Sequence, residues 1–508
     1  MPVGKAAAGQ AASVFDLRPT RTIMKKNDFP NGVRFDALNQ NWEATPDKWG
    51  VFGVHDPSMI EADGGYYVFS TGTFRRDMYQ IRYSSDLIHW DFVGEAFQNG
   101  FSELKPVVDM LKQIYGGDVR TENLWAPDVI PARGGGYWLY GCYTGVFGNN
   151  YSVIFLARAD KVTGPYRYVD MLVVSGGQWG LTPNAIDPQI FYDAENRMWM
   201  TYGSFYGGIR ILELDPATGL RKDGYTFAMY REKKLTREQY FGRRVLTSTN
   251  AEGSVVAFRR GVPVYGGDIF AEEENKALWT KKDRFYLMAS ADSLSRDYNM
   301  RVWASDRPDR GYMAQPYGRM GQKVASSFSW RYGEDDLRVP YDFYVPGHND
   351  LFTTRKGVDL VVYHNRTPYT SQGVPRRHYL FLSLYALNSA GDLVMSPNRY
   401  AGEKLRRVAR EELAGHSFDY VQVGTGNFDC AFAKPGLRLE EDGSLTLNGE
   451  KLGEWKLYGE HYVAFTFDGL RYLGAAMPAW IEAQNRAGIT VSARGEDGLP
   501  FFLNESFS

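Results

Sequence analysis

The sequence predicts an all-β protein: a five-bladed β-propeller followed by a small C-terminal β-barrel or sandwich domain. Three observations carry this. A hairpin pattern recurs five times, the composition favours short strands and tight turns, and the pattern changes character after Tyr400. The composition includes 34 Tyr, 30 Phe, 12 Trp and 54 Gly. Such a mix suits pleated strands joined by turns better than helix bundles.

Each repeat has a polar head, an apolar strand, a short turn and an aromatic-rich strand. The repeats are HDPSMIEADGGYYVFSTG from His55, APDVIPARGGGYWLYGC from Ala126, DPQIFYDAENRMWMTYGS from Asp187, ENKALWTKKDRFYLMAS from Glu274 and HNDLFTTRKGVDLVVYH from His348. Third strands follow, as in QIRYSSDLIHW and GIRILELDPATG. Repeats of three or four strands at this spacing read as propeller blades. A sandwich is the alternative, but it gives no reason for polar heads to recur. The chain divides into an N-terminal extension at 1–48, the propeller at 49–400 and the all-β domain at 401–508. Within the last, SLTLNGEKLGEWKLYGEHYVAFTFDG alternates around Asn-Gly and Asp-Gly turns. Its aromatics are read as buried by that alternation. The stretches 99–123 and 222–270 are expected to be long rim loops that shape a cleft.

The 508 residues carry 58 Lys plus Arg against 60 Asp plus Glu, a net charge of −2. That balance argues against nucleic acid as a partner. No run of about 18 apolar residues suggests a membrane span. Residues 1–13 lack the apolar core of a signal peptide. Two cysteines, Cys142 and Cys430, make no disulfide framework.

The heads carry the chemistry. The inner strand of every blade lines the central channel, so the heads converge on one rim. Asp56, Asp187 and Glu274 are carboxylates at equivalent steps, and Asp128 is a fourth acid in WAPD. Gathered carboxylates are costly unless they hold a cation or transfer protons. A pair in which one stays protonated and the other ionised suits glycoside hydrolysis. Aromatics beside the heads, Trp125, Phe147, Phe205 and Tyr206, offer flat faces for sugars.

The segments HDPSMI, LWAPDVI, NAIDPQIFYDAENRMWMTYGSFYGGIRILELD and VPGHND together resemble glycoside hydrolase family 43, in particular its two-domain endo-α-1,5-L-arabinanases. The resemblance implies an inverting hydrolase of arabinan acting outside the cytoplasm. It implies Asp56 as general base, Asp187 as the residue that raises the acid's pKa, and a Glu of the fourth blade as acid. Inversion needs room for a water, with acid and base about 6.5–9.5 Å apart. Asp128 then supports the fold. Two residues compete as the acid. Glu252 sits in an NAEGS motif like the family's, whereas Glu274 has the repeat's own step to its second strand. The repeat step favours Glu274. Trp125, Asn184, Ser204 and Tyr206 are expected to touch substrate. His348 would be the ligand of a largely hydrated calcium ion in the channel. An exo-acting arabinofuranosidase or β-xylosidase of the same family, with a pocket in place of a groove, is the first alternative. A non-catalytic carbohydrate-binding propeller is the second.

Overall fold

The structure, a computed structural model, describes residues 49–72, 78–118, 123–145, 148–176, 183–246, 251–267, 269–270, 279–294, 296–313, 321–336, 338–339, 341–366, 378–424 and 430–506. The expected extension at 1–48 lies outside them. Five four-stranded antiparallel sheets follow one another at 55–95, 123–175, 189–246, 251–325 and 344–395. In each, strand order is sequence order, as hairpin connections dictate. The third strands of the sequence pattern are the third strands of these sheets. A closed eight-stranded barrel follows, from His416–Gln422 to Pro500–Ser506. Its interior is filled by apolar side chains such as Phe418, Trp455, Phe465 and Phe501. Trp455 is therefore core, as the alternation in its strand implied.

The same backbone device opens all five blades. One residue there takes a left-handed conformation: Asp56 (φ 54°), Ala126 (φ 38°), Asp187 (φ 56°), Gly253 (φ 56°) and His348 (φ 45°). In four of the blades a break in strand register falls at the same place. A bulge of this kind bends the strand and re-aims a side chain, here at the head of the channel. Two residues further on, side chains tie each blade to its neighbour. Asp128 of the second blade accepts from Ile190 N–H of the third at 2.6 Å and from Ser58 of the first at 2.8 Å. Gln189 of the third accepts from Val256 N–H of the fourth at 2.9 Å, and Asp350 of the fifth accepts from Met59 N–H of the first at 2.8 Å. Between fourth and fifth blades, Ser290 accepts from His348 N–H at 2.6 Å.

The ring closes through the segment before the first blade. Leu380 N–H donates to Val51 O and Gly53 N–H to His378 O, both at 2.9 Å. Phe52, fully buried, packs beside Tyr379. Burying such a ring contributes roughly 2–3 kcal/mol. Arg82 is also fully buried and donates to Gly50 O and Phe52 O, fixing the same segment to the first blade.

Two expectations need correction. The stretch 222–270 is not a rim loop. It contains two short helices, Phe227–Arg231 and Arg237–Phe241, then the outer strand of the third blade and the inner strand of the fourth. The fourth blade does not begin at Glu274 either. Its inner strand is Ala251–Tyr265, paired with Trp279–Ala291 so that Glu252 faces Ser290. The extra residues between the first two strands therefore follow the far end of a long hairpin. Glu274 itself is outside the described residues. The other expected loop, 99–123, contains the helix Lys105–Tyr115, with Pro at its start and Gly116 as left-handed cap.

The barrel is fastened to the propeller by a parallel strand pair, Phe328–Ser329 with Ala431–Phe432. A buried Arg399–Glu482 ion pair at 2.6 Å adds to it, with Tyr341 donating to the same carboxylate. Glu403, in the connecting segment, is buried and accepts from Ala401 N–H at 2.6 Å. Burial pushes its carboxyl from 4.5 to about 8 despite that bond. A raised folded pKa means the fold favours the protonated acid. Its contribution is complete below about 4.5 and is lost as pH rises through 8. Glu403→Gln should thus melt a few degrees higher than wild type at pH 8.5, with the difference shrinking towards pH 5, by thermal denaturation across pH.

Candidate active site

Three acids from three blades meet at the channel mouth. Asp56 is held from both oxygens. Thr71 donates to Oδ2 at 2.6 Å, while His55 Nε2 and His348 Nδ1 lie 3.1 and 3.0 Å from Oδ1. Its backbone N–H points at His364 Nδ1, 3.4 Å away. Burial alone would raise this carboxyl. His348, His55, Thr71 and Arg366 outweigh burial and hold it below the ordinary value. Asp56 is thus held as the anion.

Asp187 and Glu252 go the other way. Asp187 accepts from Gly253 N–H at 3.1 Å, and Glu252 from the Ser204 hydroxyl at 3.3 Å. Burial lifts both, and each feels other carboxylates nearby: Asp187 that of Glu252, and both that of Asp56. His348 opposes the rise in both, and the Tyr298 hydroxyl further opposes it in Glu252. The pair retains a proton above the usual carboxylate range. Burial and neighbours thus push the carboxyls of one site in opposite directions, the separation acid–base catalysis needs.

Gly253 explains why the acid escapes the repeat register. The position equivalent to Asp56 and Asp187 is Gly253, and Glu252 stands one residue earlier. A Cβ on Gly253 would lie 2.8 Å from His348 Nδ1. The fourth blade therefore leaves the head position bare and presents its acid from the residue before. His55 and Trp125 occupy that same earlier position in their blades.

The expected substrate contacts divide. Tyr206, on a one-turn helix Phe205–Gly207, is 45% exposed, and Trp125 is half-buried. Asn184 is buried and its amide oxygen accepts from Ser152 at 2.8 Å, which ties it to the second blade. Ser204 is buried and serves Glu252 instead. Phe147 lies outside the described residues. Asp128 joins three blades, as its structural reading implied. Thr71, Tyr298 and His364 were not singled out in the sequence. Thr71 and His364 stand on second strands and Tyr298 in the loop before a third, where the head pattern gives no signal.

A cavity lies under the acids along the axis. Its lining includes Asp128, Asp187, Ser254, His348, Asn349 and Asp350. The Ser254 hydroxyl and both polar atoms of the Asn349 amide are buried with no partner among the described residues.

A propeller with paired carboxylates of opposite protonation at its mouth defines a glycoside hydrolase. Residues 52–381 match the profile of glycosyl hydrolases family 43, and residues 397–503 match a family 43 C-terminal lipocalin-like domain. The chain belongs to glycoside hydrolase family 43, an inverting family. It is 28% identical over 493 residues to an extracellular endo-α-(1→5)-L-arabinanase of Thermotoga petrophila, covering 89% of this chain and 93% of that one. A second extracellular endo-α-(1→5)-L-arabinanase, from Bacillus subtilis, is 26% identical and covers 88% and 91%. The crystal structure of a Thermotoga petrophila endo-1,5-α-L-arabinanase superposes with a TM-score of 0.71 at 26% identity, covering 90% of this chain and 99% of that one. A family 43 protein from Bacillus licheniformis gives 0.70 at 26%, covering 90% and 98%.

Gly253→Ala should fold, yet lose at least tenfold in kcat. A left-handed alanine costs about 1–2 kcal/mol, and its methyl would push His348 away from Asp56. Circular dichroism with steady-state kinetics checks both halves.

Proposed function

We propose that the protein is an inverting endo-α-1,5-L-arabinanase acting outside the cytoplasm. The observation that carries the reading is the meeting of Asp56, Asp187 and Glu252 at one channel mouth, with His55, His348 and Thr71 against Asp56 and burial acting on the other two. Arabinan as substrate and export from the cytoplasm are supported by the two relatives described as extracellular arabinanases.

In this reading Asp56 takes a proton from a water that attacks the anomeric carbon. Glu252 gives its proton to the departing glycosidic oxygen. Asp187 never touches the proton in flight. When the proton the pair retains rests on Glu252, the remaining charge on Asp187 holds it there, so the acid is still loaded near neutral pH. Ser204 aims the acid. Tyr206 and Trp125 provide faces against which sugar rings stack. Endo action is favoured because the stretch 222–270, expected as a rim loop, contributes blade strands and two short helices.

Calcium is the proposed metal of the channel. The cavity is rich in oxygen ligands, and its unpartnered Ser254 hydroxyl and Asn349 amide suit a hydrated oxygen-seeking cation beside His348. Bound there, calcium would add positive charge that keeps nearby carboxylates ionised.

On linear α-1,5-arabinan the wild type should release a ladder of oligosaccharides, read by chromatography. Asp56→Asn and Glu252→Gln should each lose about 10²–10⁴-fold in kcat, while Glu274→Gln stays within twofold of wild type. An aryl arabinoside with a good leaving group needs little acid help, so it should rescue Glu252→Gln and not Asp56→Asn. Full activity in Glu252→Gln would remove the acid assignment.

Dialysis against EGTA should lower both kcat and melting temperature, and added Ca²⁺ should restore both. Unchanged values in chelator would dismiss the calcium reading.

A further inference from the structure

Three of the seven histidines, His55, His348 and His364, face Asp56, and His378 stacks behind them on His55. His55, His364 and His378 form a separate group behind the base. One ring nitrogen from each lies within 4.8 Å of the other two. His55 and His378 stack at 3.9 Å between centroids, and His364 stands across both at 4.6 and 4.7 Å. His364 is fully buried. Its Nδ1 accepts the Asp56 N–H, so its proton is on Nε2, which has no partner among the described residues.

We propose that His55, His364 and His378 form an inhibitory site for a transition-metal ion of the Zn²⁺ class, distinct from the channel's calcium. Three imidazoles suit Zn²⁺, Co²⁺ or Ni²⁺ and do not suit calcium, which takes oxygen. Burial keeps His55 and His364 neutral, so their lone pairs are not lost to protons. Zinc–nitrogen bonds of about 2.0–2.1 Å place ligands roughly 3.4 Å apart. The nitrogens must close in by up to about 1.4 Å from the 4.8 Å seen, and one of the stacked His55 and His378 rings must turn so that both in-plane lone pairs point at the ion. One competitor stands in the way: Arg366 Nε donates to His378 Nε2 at 2.7 Å, and a metal must displace it.

Inhibition follows from the tautomer. A metal on His364 Nε2 sends the ring proton to Nδ1, which faces Asp56 Oδ1 at 3.7 Å. Nδ1 then stops accepting the Asp56 N–H and becomes a further donor to the base. No proton is gained or lost by the ring. With Oδ1 engaged by that further donor, Asp56 is less free to accept from a water, so kcat falls.

The binding arm of the test does not depend on the substrate. Calcium-loaded enzyme is titrated with Co²⁺ and Zn²⁺ by calorimetry, and the visible absorption of Co²⁺ is recorded. One ion per chain is expected, with an imidazole-type cobalt band. His378→Ala should weaken binding at least tenfold, and Arg366→Gln should strengthen it. The inhibition arm rests on the hydrolase reading: Zn²⁺ should lower wild-type kcat on arabinan, and His378→Ala should resist while keeping its activity in zinc-free buffer. Equal Zn²⁺ binding in wild type and His378→Ala would assign the metal to the carboxylates and overturn the proposal. So would the absence of stoichiometric binding, or weaker binding in Arg366→Gln. Stoichiometric binding with no activity on arabinan in any sample would sink the substrate and leave the metal site.

Discussion

Everything at the channel mouth depends on one backbone constraint, the left-handed residue that opens each blade. Four of the five are not glycine, and each costs about 1–2 kcal/mol. The cost is offset because the same bulge sets up the next two positions. The side chain two residues on reaches the neighbouring blade, as Asp128, Gln189 and Asp350 do. The strained residue itself is thrown into the channel. Strain, ring closure and chemistry share one local geometry, and none can be altered alone.

That geometry also explains how three carboxyl groups in one place can differ. Asp56 lies on the side where His55, His348 and Thr71 gather, and their donors and charge beat desolvation. Asp187 and Glu252 lie where burial and mutual repulsion win. The difference is one of neighbours rather than of residue type, since Asp falls on both sides of it. Gly253 is the hinge between the two environments. Its bare head position lets His348 come within contact of Asp56 while Glu252 approaches from the side.

Much of this was legible in the sequence because propeller blades repeat. Asp56, Asp187 and His348 stood out as heads at a common step, and each occupies the left-handed position. The repeat misled where a blade departs from the pattern. In the fourth blade the head is glycine and the hairpin is long, so counting back from FYLMAS pointed to Glu274 rather than Glu252. The local EGS motif was the better guide, because it carried the glycine that the packing requires. Asn184 and Ser204 were expected to touch substrate, and their bonds to Ser152 and Glu252 could not be read. Whether a polar side chain faces sugar or a neighbouring blade depends on contacts such as Ser152 and Glu252, which lie 32 and 48 residues away.

The fifth blade shapes how this protein comes into being. The backbone amide of Asp56 and the ring of His364 that receives it are 308 residues apart, and the segment at 51–53 pairs with strand residues at 378–380. At a synthesis rate of about 5–20 residues per second, Asp56 is made well before the residues that tune it. A nascent chain therefore carries no competent centre until the last blade has emerged and swung round to the first. Catalytic power arrives in a single late step of ring closure, and a polypeptide cut short anywhere before it would be inert.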